Sequence, residues 1–370
     1  MKFIVSKTLL AEALNITGKV ISTNNVVPVL GCYLFRMENN SLMITGSNLQ
    51  TFITKQIPIE GNNFEALIAI PAARLSNLIK ELPEQPLQFL IEETSDHYNV
   101  TITAASGTYL VVADAGKDYP DLKNEKQLSF TMPHSNLVIG ISKTLFACST
   151  DELRPAMTGV LVSFKEKQVT YTATNAAMLS TFSCDVDVDT DQSFIVPAKV
   201  LSILLTLSGS KDIVIELDAK SIVFNVDENT VLKSRLIDEK YPDYQSVIPK
   251  DNNQVFTTDK YELISSLKRI TQFAEGNNHK VTMEIDKSNC SIKTDNSLGE
   301  TAFETLKHSY NGEPIAIGID GKNLLSCLTK KDSEEISMSF SSAKRAMLLR
   351  EIGPEVSDET NLMLLMPLTV

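Results

Sequence analysis

Three stretches of the chain read Ile70-Pro71-Ala72-Ala73-Arg74-Leu75, Val196-Pro197-Ala198-Lys199-Val200-Leu201 and Ile319-Asp320-Gly321-Lys322-Asn323-Leu324. Each is an apolar strand end followed by the start of an amphipathic helix, and the starting points lie 126 and then 123 residues apart. A pattern that recurs at a fixed period is the sequence signature of repeated structural units. The 370-residue chain is also too long for one hydrophobic core. We therefore expect three like domains, at residues 1–126, 127–250 and 251–370.

Two further sets of residues keep nearly the same spacing. One set precedes a helical pattern in each domain and comprises Phe3, Phe130 and Phe256. The other follows an alternating strand pattern in each domain and comprises Asn48, Asn175 and Asn296. Because the asparagines recur at the same place, we expect them to form the same turn three times. The order within each domain is strand, helix, strands, helix, strands.

The balance of charge first argues against a nucleic-acid partner, since 34 basic and 46 acidic residues give a net charge of −12. The basic residues are nevertheless concentrated on the polar faces of the six predicted helices. They are Lys7, Lys19, Arg74, Lys80, Lys143, Lys199, Lys268, Arg269, Lys322, Lys330 and Lys331. If the helices of two chains lined one hole, these faces would surround the phosphates of a DNA duplex. Such binding is independent of sequence and sensitive to salt.

The usual catalytic constellations are missing from the sequence. His97, His134, His279 and His308 are scattered, and no H-E-x-x-H, G-x-x-x-x-G-K-[ST], G-x-G-x-x-G or G-x-S-x-G motif occurs. The five cysteines are far apart and form no C-x-x-C pair, so reduced thiols are expected rather than a zinc site or a disulfide framework. We therefore expect a protein that is not an enzyme and that needs no cofactor or metal.

The alternating acids Asp185, Asp187, Asp189 and Asp191 have the spacing of a calcium loop. Thr190 stands where that loop requires glycine, and Val196 stands where it requires a bidentate glutamate. We interpret the run as an exposed strand edge protected by charge. No apolar run approaches the roughly 18 residues of a membrane helix, and the start of the chain is too short in apolar residues for a signal peptide, which predicts a cytoplasmic protein.

Four segments along nearly the whole chain resemble the bacterial DNA polymerase III beta subunit, the sliding-clamp family. They are Pro28-Val29-Leu30-Gly31 with Ile44-Thr45-Gly46-Ser47-Asn48-Leu49, then Tyr171-Thr172-Ala173-Thr174-Asn175, then Tyr241-Pro242-Asp243-Tyr244 with Val247-Ile248-Pro249-Lys250, and the ending Leu364-Leu365-Met366-Pro367-Leu368. The resemblance implies an α+β fold of three processivity-fold domains, each with two helices packed on antiparallel sheets. It also implies a head-to-tail homodimer that closes a ring around duplex DNA and tethers the replicative polymerase.

The resemblance implies three sets of functional residues. The dimer interface would use Leu78, Leu82 and Tyr109 of one chain and Phe273 of the other. Peptide motifs of partner proteins would bind a cleft formed by Met157, Thr174, Ala176, Ala177, Met178, Leu179, Pro242, Val247, Leu364, Met366, Pro367 and Leu368. Together with the helix residues, the set expected to contact DNA is Lys19, Arg74, Lys80, Lys143, Arg154, Lys199, Arg235, Lys268, Arg269 and Lys322.

The same resemblance implies several partners that would compete for the cleft: the DNA polymerase III alpha subunit, the clamp-loader delta subunit, repair polymerases and other proteins with short clamp-binding motifs. The chain departs from the family at some of these positions. Ala176-Ala177-Met178-Leu179 stands where Gly-His-Arg-Leu is familiar, Ser106 and Thr108 stand near Tyr109 where arginines are frequent, and Asn24 replaces a common arginine. A more apolar peptide preference follows from the first departure.

Two other functions remain open at this point. A hydrolase acting on nucleic acid would need acids or histidines that converge in one pocket, and a metal-dependent nuclease assay would reveal it. A purely structural, self-associating protein would also account for the repeats and the acidic composition, but its helices need not be basic. Retention on circular but not linear DNA separates a clamp from both.

Overall fold

The computed structural model of the chain describes residues 1–22, 27–38, 40–61, 65–123, 125–207, 209, 211–276, 279–352 and 360–369. Asn24 lies outside these residues. The helices are α1 (Lys7–Thr17), α2 (Ala72–Glu81), α3 (His134–Thr144), α4 (Ala198–Leu204), α5 (Lys260–Ile270) and α6 (Gly321–Leu328). None of the helices in the described part of the chain has the length and apolar character needed to cross a lipid bilayer.

The strands of the described residues follow the order predicted from the sequence. They are β1 (Lys2–Ser6), β2 (Cys32–Glu38), β3 (Ser41–Ser47), β4 (Thr51–Pro58), β5 (Glu60–Gly61), β6 (Ala66–Pro71), β7 (Pro86–Glu93), β8 (Tyr98–Ala104), β9 (Gly107–Ala115), β10 (Leu128–Pro133), β11 (Gly159–Lys165), β12 (Gln168–Thr174), β13 (Met178–Asp185), β14 (Gln192–Pro197), β15 (Asp212–Leu217), β16 (Ser221–Asp227), β17 (Thr230–Arg235), β18 (Gln254–Asp259), β19 (Lys280–Ile285), β20 (Cys290–Asp295), β21 (Thr301–Thr305), β22 (Ser309–Tyr310), β23 (Ile315–Asp320), β24 (Glu335–Phe340), β25 (Met347–Glu351) and β26 (Asn361–Leu365). One strand, a helix, four or five strands, a second helix and three strands recur three times.

The helices begin where the repeated pattern predicts. The three quoted stretches are the ends of β6, β14 and β23 with the starts of α2, α4 and α6. Asp320 caps α6 by accepting hydrogen bonds from the backbone N–H groups of Lys322 and Asn323, at 2.9 and 3.0 Å. Asp259 caps α5 in the same way through the N–H of Glu262, at 2.7 Å. Local capping therefore fixes where these two helices begin.

The chain divides into two compact units. The first unit comprises Met1–His134 and Ser202–Leu236, and the second comprises Ser135–Leu201 and Ile237–Val370. Neither coincides with one sequence repeat, because strands of the second repeat contribute to both.

The first unit contains one antiparallel sheet with the order β10-β15-β16-β17-β4-β3-β2-β6-β9-β8-β7-β1-β5. Strand β17 of the second repeat pairs with β4 of the first, from Thr230 opposite Lys55 to Ser234 opposite Thr51. Buried side chains of α1, α2 and the neighbouring strands form its main core, including Leu10, Leu14, Leu75 and Ile79. The apolar stripes predicted for these helices are therefore core faces.

The second unit contains a sheet with the order β14-β11-β12-β13-β26-β25-β24-β18-β22 and a smaller one with the order β21-β20-β19-β23. Here β13 of the second repeat pairs with β26 of the third. Strand β13 ends at Asp185, the first residue of the acidic run, and the rest of the run is a loop. The run is therefore not the strand edge that was predicted, whereas the following strand β14 is an edge of the sheet. The buried Val186 and Val188 alternate with these acids in that loop.

The predicted asparagine turn is identical in the first two repeats and one residue longer in the third. The side-chain oxygen of Asn48 accepts hydrogen bonds from the N–H groups of Gln50 and Thr51, at 3.1 and 2.8 Å. Asn175 does the same for Ala177 and Met178, at 3.0 and 2.9 Å. Asn296 accepts from Leu298 and Glu300, at 3.1 and 2.9 Å. Such local side-chain bonds substitute for ladder bonds where a strand must turn.

Candidate functional site

A small apolar cluster in the second unit lies apart from the main cores. Its buried members are Leu179, Ala346, Leu348 and Leu364, and the half-buried Tyr244, Ile248 and Leu362 pack against it. Strand register explains the assembly, since Leu179 lies opposite Leu364 on β13 and β26, and Leu348 lies opposite Leu364 on β25 and β26. Two residues predicted for the cleft, Leu179 and Leu364, therefore share one apolar surface.

The end of the chain is held beside β13 by backbone hydrogen bonds. Met178 lies opposite Leu365, and the N–H of Met366 donates to the carbonyl oxygen of Ala177 at 2.8 Å. Further along, the N–H of Leu368 donates to the carbonyl of Gly318 at 2.8 Å. The predicted residues Met366 and Leu368 are thus fixed by main-chain pairing, so the side chain of Met366 can stay 41% exposed.

The turn before β13 is preorganised at the rim of this cluster. The hydroxyl of Thr174 donates to the carbonyl of Met178 at 2.7 Å and accepts from the N–H of Ala176 at 3.1 Å. Together with the Asn175 turn, these bonds hold Ala176 at a φ of 73°, in the left-handed region. Ala176 and Ala177 are exposed, so the turn presents small apolar side chains to solvent.

The opposite rim is formed by residues 241–248. Val247 is 52% exposed, while Ile248 and Tyr244 contact the cluster. The rings of Tyr241 and Tyr244 meet edge to face at 6.5 Å, and the Tyr241 hydroxyl donates to the carbonyl of Thr172 at 3.2 Å. Burial raises the pKa of Tyr241, so its phenol stays neutral and acts as a fixed part of the wall.

Other predicted cleft residues take different places in the second unit. Met157 lies within the short turn Pro155–Thr158, and its carbonyl oxygen accepts a hydrogen bond from the N–H of Ser149 at 2.8 Å. Pro242 is half-buried and follows Tyr241 in the chain. Sequence reasoning missed Ala346 and Leu348. Nothing in their local pattern marks them: Leu348 joins the cluster through the pairing of β25 with β26, and Ala346 directly precedes β25.

Most of the basic helix residues are exposed in the structure. Exposed members of the predicted DNA-contact set are Arg74, Lys80, Arg154, Lys199, Arg235, Lys268, Arg269 and Lys322, while Lys19 is half-buried. The ammonium of Lys19 donates to the hydroxyl of Thr206 at 2.6 Å. Positive charge is thus presented by helices of both units.

The expectation of a solvent-facing position was wrong for Lys143 and Lys331. The Lys143 ammonium is buried and donates to the carbonyl of Lys330 and to Oδ2 of Asp332, both at 2.6 Å. The Lys331 ammonium is also buried and donates to the carbonyl of Asn361 at 2.9 Å. A third buried ammonium, that of Lys260, donates to the carbonyl of Lys331 at 2.9 Å. The turn after α6 attracts Lys143 and Lys260 because its carbonyls lack helical partners, whereas Lys331 lies in that turn and reaches the start of β26.

Two other predicted basic residues have acidic neighbours in their own chain. Arg269 donates from Nε and Nη2 to the two carboxylate oxygens of Glu304, each at 2.6 Å, which raises the pKa of Arg269 and lowers that of Glu304. Arg154 donates from Nε to Asp151 at 2.9 Å. The pKa of Asp151 is lowered, first by the N–H of Leu153 and then by Arg154.

The residues predicted for a dimer interface lie beside strands with a free edge. Leu82 is buried, and Leu78 and Tyr109 pack against the core of the first unit. Strand β9 pairs with β8 along its length but with β6 only at Ala115 and Asp114, and it exposes 61% of Leu110 and 45% of Val112.

In the second unit, β21 is the edge of its sheet and exposes 63% of Phe303, while Phe273 is 42% exposed. The sequence pattern missed Leu110, Val112 and Phe303. Alternation along a strand predicts the face on which a side chain lies and does not predict which strand stays unpaired.

Within the described residues, no group of three or more His, Cys, Asp or Glu side chains is placed to hold a metal ion. The five cysteines are free thiols, and burial raises the pKa of Cys148 to about 12. The described part of the chain therefore offers binding surfaces, namely an apolar cluster, basic helices and two free strand edges.

Comparison with known proteins gives a family for each third of the chain. The N-terminal, central and C-terminal domains of the DNA polymerase III beta subunit match residues 1–123, 131–243 and 245–368. The beta sliding clamp of Bacillus subtilis is 26% identical over 382 residues, covering 99% of both chains. That of Chlamydia pneumoniae is 26% identical over 345 residues, covering 92% of this chain and 93% of the relative.

Solved structures agree in fold. The DNA polymerase III beta chain of Streptococcus pneumoniae superposes with a TM-score of 0.93 at 24% identity and 100% coverage of both chains. The DNA polymerase sliding clamp of Bacillus subtilis superposes with a TM-score of 0.91 at 25% identity, covering 100% of this chain and 99% of the other.

Proposed function

The chain belongs to the DNA polymerase III beta subunit family, and from this membership we propose how its surfaces perform the family's function. The protein is a DNA sliding clamp of replication, a processivity factor without catalysis of its own. It acts as a ring-forming dimer with DNA and a polymerase as its partners. The observation that carries this conclusion is the match of all three family domains along one chain. We propose domain boundaries at 1–126, 127–250 and 251–370, and a cytoplasmic location.

We propose that the ring closes by pairing the free edge of β9 in one chain with the free edge of β21 in the other. An unpaired strand edge with exposed apolar side chains is a template for pairing with another chain. Leu110 and Val112 on one edge and Phe303 on the other supply the apolar area. Leu78, Leu82 and Tyr109 would support the first edge from behind, and Phe273 would flank the second. Because the two edges differ, the contact is head to tail, and we propose that the rotation between copies closes the ring after two of them.

The exposed basic residues are proposed to contact the duplex inside the ring. These are Arg74, Lys80, Arg154, Lys199, Arg235, Lys268, Arg269 and Lys322, together with the half-buried Lys19. We leave Lys143 out of this set, because its ammonium is buried and is held by two hydrogen bonds within the protein. Contacts of this kind read phosphate rather than base edges, so the protein would slide on any sequence.

The apolar cluster around Leu179 and Leu364 is proposed to be the cleft for short peptide motifs, with Met366, Val247 and the Ala176-Ala177 turn as its rim. The polymerase III alpha subunit, the clamp-loader delta subunit and repair polymerases are the proposed partners. A few buried apolar anchors carry most of the energy in such a groove. Exposed alanines and a methionine at the rim favour peptides with apolar rather than acidic flanks.

The test of the clamp function is retention on DNA. The purified protein is loaded on nicked circular DNA by its cognate clamp loader and ATP, and retention is measured before and after the circle is cut. We expect retention to be lost on cutting, since a ring is held by topology. Equal retention on both forms, or none on either with an active loader, would contradict the proposal.

The closure of the ring has its own test. Phe303→Asp places a charge on the β21 edge and should shift the protein from dimer to monomer in sedimentation equilibrium. Leu153→Asp makes the same change at a side chain that is 90% exposed and away from both edges, so it should leave the dimer intact. A dimeric Phe303→Asp variant would place the interface elsewhere.

A further inference from the structure

A groove of about 560 Å³ runs between α1 and α2 in the first unit. Its lining comprises Lys7, Ala11, Leu14, Asn15, Gly18, Lys19, Tyr33, Ser76, Ile79 and Lys80. The volume falls in the range of pockets that hold small molecules, about 300–1,000 Å³. The groove is separate from the peptide cleft, which lies in the second unit.

All charged side chains that line the groove are positive. Three ammonium groups line it, those of Lys7, Lys19 and Lys80, and no carboxylate is among the described residues of its lining. The ammonium groups of Lys7 and Lys80 have no ion-pair or hydrogen-bond partner among the described residues. Three cations in one concave surface focus a positive potential, which favours a ligand with several negative charges close together.

The floor of the groove is apolar. Leu14, Ile79 and Tyr33 are buried, and the Tyr33 hydroxyl is satisfied by donating to the carbonyl of Leu14 at 2.9 Å, with Ser76 Oγ at 2.8 Å. A Cβ on Gly18 would lie 2.6 Å from that hydroxyl, so glycine allows the Tyr33 ring to pack closely against the end of α1. An apolar floor beneath a cationic rim suits a ligand that joins an uncharged ring system to adjacent phosphates.

The other two domains lack this arrangement. In the second domain, the spacing from Phe3 to Phe130 and from Ile70 to Val196 identifies the positions equivalent to the three lysines. The positions of Lys7, Lys19 and Lys80 are occupied there by His134, Phe146 and Thr206. In the third domain the corresponding residues are Lys260, Gln272 and Thr329. Lys260 is buried and bonded to the carbonyl of Lys331. A general requirement for positive helices does not explain three lysines around one groove in one domain only.

From these observations we propose that the α1–α2 groove is a binding site for a nucleoside polyphosphate, one per chain. The phosphates contact Lys7, Lys19 and Lys80, and the base lies against Ala11, an apolar residue of the lining that is partly exposed. The backbone of DNA carries phosphates too, but these are separated along a strand, whereas a polyphosphate brings its charges to one place. Because the same helices are proposed to face the duplex, a bound nucleotide competes with DNA for Lys19 and Lys80.

The test is isothermal titration calorimetry of the full-length protein with ATP, with inorganic tripolyphosphate and with a short linear duplex as separate titrants. We expect ATP to bind with one site per chain, and tripolyphosphate to bind the same site more weakly because it lacks the base. Lys7→Gln with Lys80→Gln should weaken both by tenfold or more. Asn15→Glu, a change at an exposed residue of the rim, should have a similar effect by adding a negative charge.

Lys287→Gln with Lys344→Gln is the matched control, because it removes two exposed charges outside the groove. The proposal is overturned if this control weakens ATP as much as the groove variants do, or if ATP does not bind at millimolar concentration. It is also overturned if the groove variants weaken only the duplex, since the groove would then serve the DNA backbone. Loss of ATP binding in Asn15→Glu, at a residue outside the proposed DNA contacts, with unchanged topological retention on circular DNA would support it independently of the clamp function.

Discussion

The ammonium of Lys143 is held by one backbone carbonyl and one carboxylate, and the two acceptors differ in their surroundings. The side chain of Asp332 is 85% exposed and can regain water, whereas that of Lys143 is only 9% exposed. Removal of the lysine therefore leaves the carbonyl of Lys330 as the main unpaired group. A buried acceptor without a donor costs about 1–3 kcal/mol.

We expect Lys143→Met to lower the free energy of unfolding by about 1–3 kcal/mol in urea denaturation. Lys268→Met, at an exposed position of α5, should change it by less than about 0.5 kcal/mol. Asp332→Asn tests the ion pair alone and should also have a small effect, since exposed carboxylates contribute little. Wild-type stability in Lys143→Met would show that the two bonds contribute nothing.

The ammonium of Lys331 loses its proton in the alkaline pH range, so the stability of the protein depends on pH there. Burial lowers its pKa from 10.5 to about 8, and the neighbouring Glu351 opposes that shift. Between these two values the unfolded chain binds more protons than the folded one, so this residue makes stability rise as pH increases from 8 to 10.5. Below pH 8 both states are protonated and its effect is constant.

Lys331→Met should remove this rise. The measurement is the free energy of unfolding at pH 7.5, 8.5 and 9.5, with Lys344→Met as the exposed control. Buried thiols such as Cys148 titrate in the opposite sense, so the comparison is the difference between the variant and the wild type at each pH. A difference that does not change with pH would contradict the assignment.

At the residue scale, sequence alone predicted the apolar helix faces and the asparagine turns, because both follow from local spacing. It failed for Lys143 and Lys331. Helical spacing gives the direction in which a side chain leaves the helix, but a lysine stem is long enough to bend toward carbonyls of another element. The burial of Lys143 depends on where the turn after α6 lies, and that of Lys331 depends on where β26 lies, which no local pattern contains.

The turn between β12 and β13 is an element with a matched counterpart in the same molecule. Asn175 and Asn48 make the same pair of side-chain bonds to the backbone, but only the turn of Asn175 adjoins the apolar cluster of Leu179 and Leu364. The effect of the turn on stability can thus be separated from its effect on binding.

We expect Asn175→Ala and Asn48→Ala to lower the free energy of unfolding by similar amounts, about 1 kcal/mol each. Only Asn175→Ala should weaken binding of a labelled peptide that carries the clamp-binding motif of the cognate polymerase, by about fivefold or more. Fluorescence anisotropy measures the binding. Equal affinity in both variants would show that the turn plays no part in the cleft.

At the element scale, the number, order and starting points of the helices were predicted, since strand ends and helix starts repeat in the sequence. The edges were not. Whether β9 and β21 lack a neighbour depends on which strands pair around them. The cluster member Leu348 was missed for the same reason, because its neighbour Leu364 comes from the pairing of β25 with β26.

For the whole ring, affinity for DNA and retention on DNA are separate quantities. Binding to a linear duplex depends on counterion release. The logarithm of the binding constant therefore falls with the logarithm of the salt concentration, with a slope of about 0.9 for each phosphate contact. Retention of a closed ring on a circle depends on the dimer interface. Changes to the basic helices should therefore alter the affinity for linear DNA and leave the retention on circular DNA unchanged.

The combined variant Arg74→Gln, Lys268→Gln and Lys322→Gln should lower the salt slope for a linear duplex by about 1 per cation removed. Once loaded, it should stay on circular DNA as long as the wild type. The control is Lys220→Gln, Lys287→Gln and Lys344→Gln, which removes three exposed charges outside the predicted set. An unchanged slope in the first variant would mean that these helices do not contact the duplex.

Over the whole chain, the period near 125 residues predicted three like domains, and the family match agrees with that number. The period did not show that the sheets run across the repeats. The register of β17 with β4 joins the second repeat to the first, and that of β13 with β26 joins it to the third. Such pairings link residues more than a hundred positions apart, and a local pattern carries no record of them.

The strand pairings of β17 with β4 and of β13 with β26 bear on how this protein can evolve. Main-chain N–H and C=O groups are the same in every residue except proline, so these pairings survive replacement of almost any side chain that points to solvent. The chain has exchanged about three quarters of its residues relative to the Bacillus subtilis clamp, yet the two superpose with a TM-score of 0.91. A lineage built this way can renew its surfaces for new partners while its architecture stays inherited.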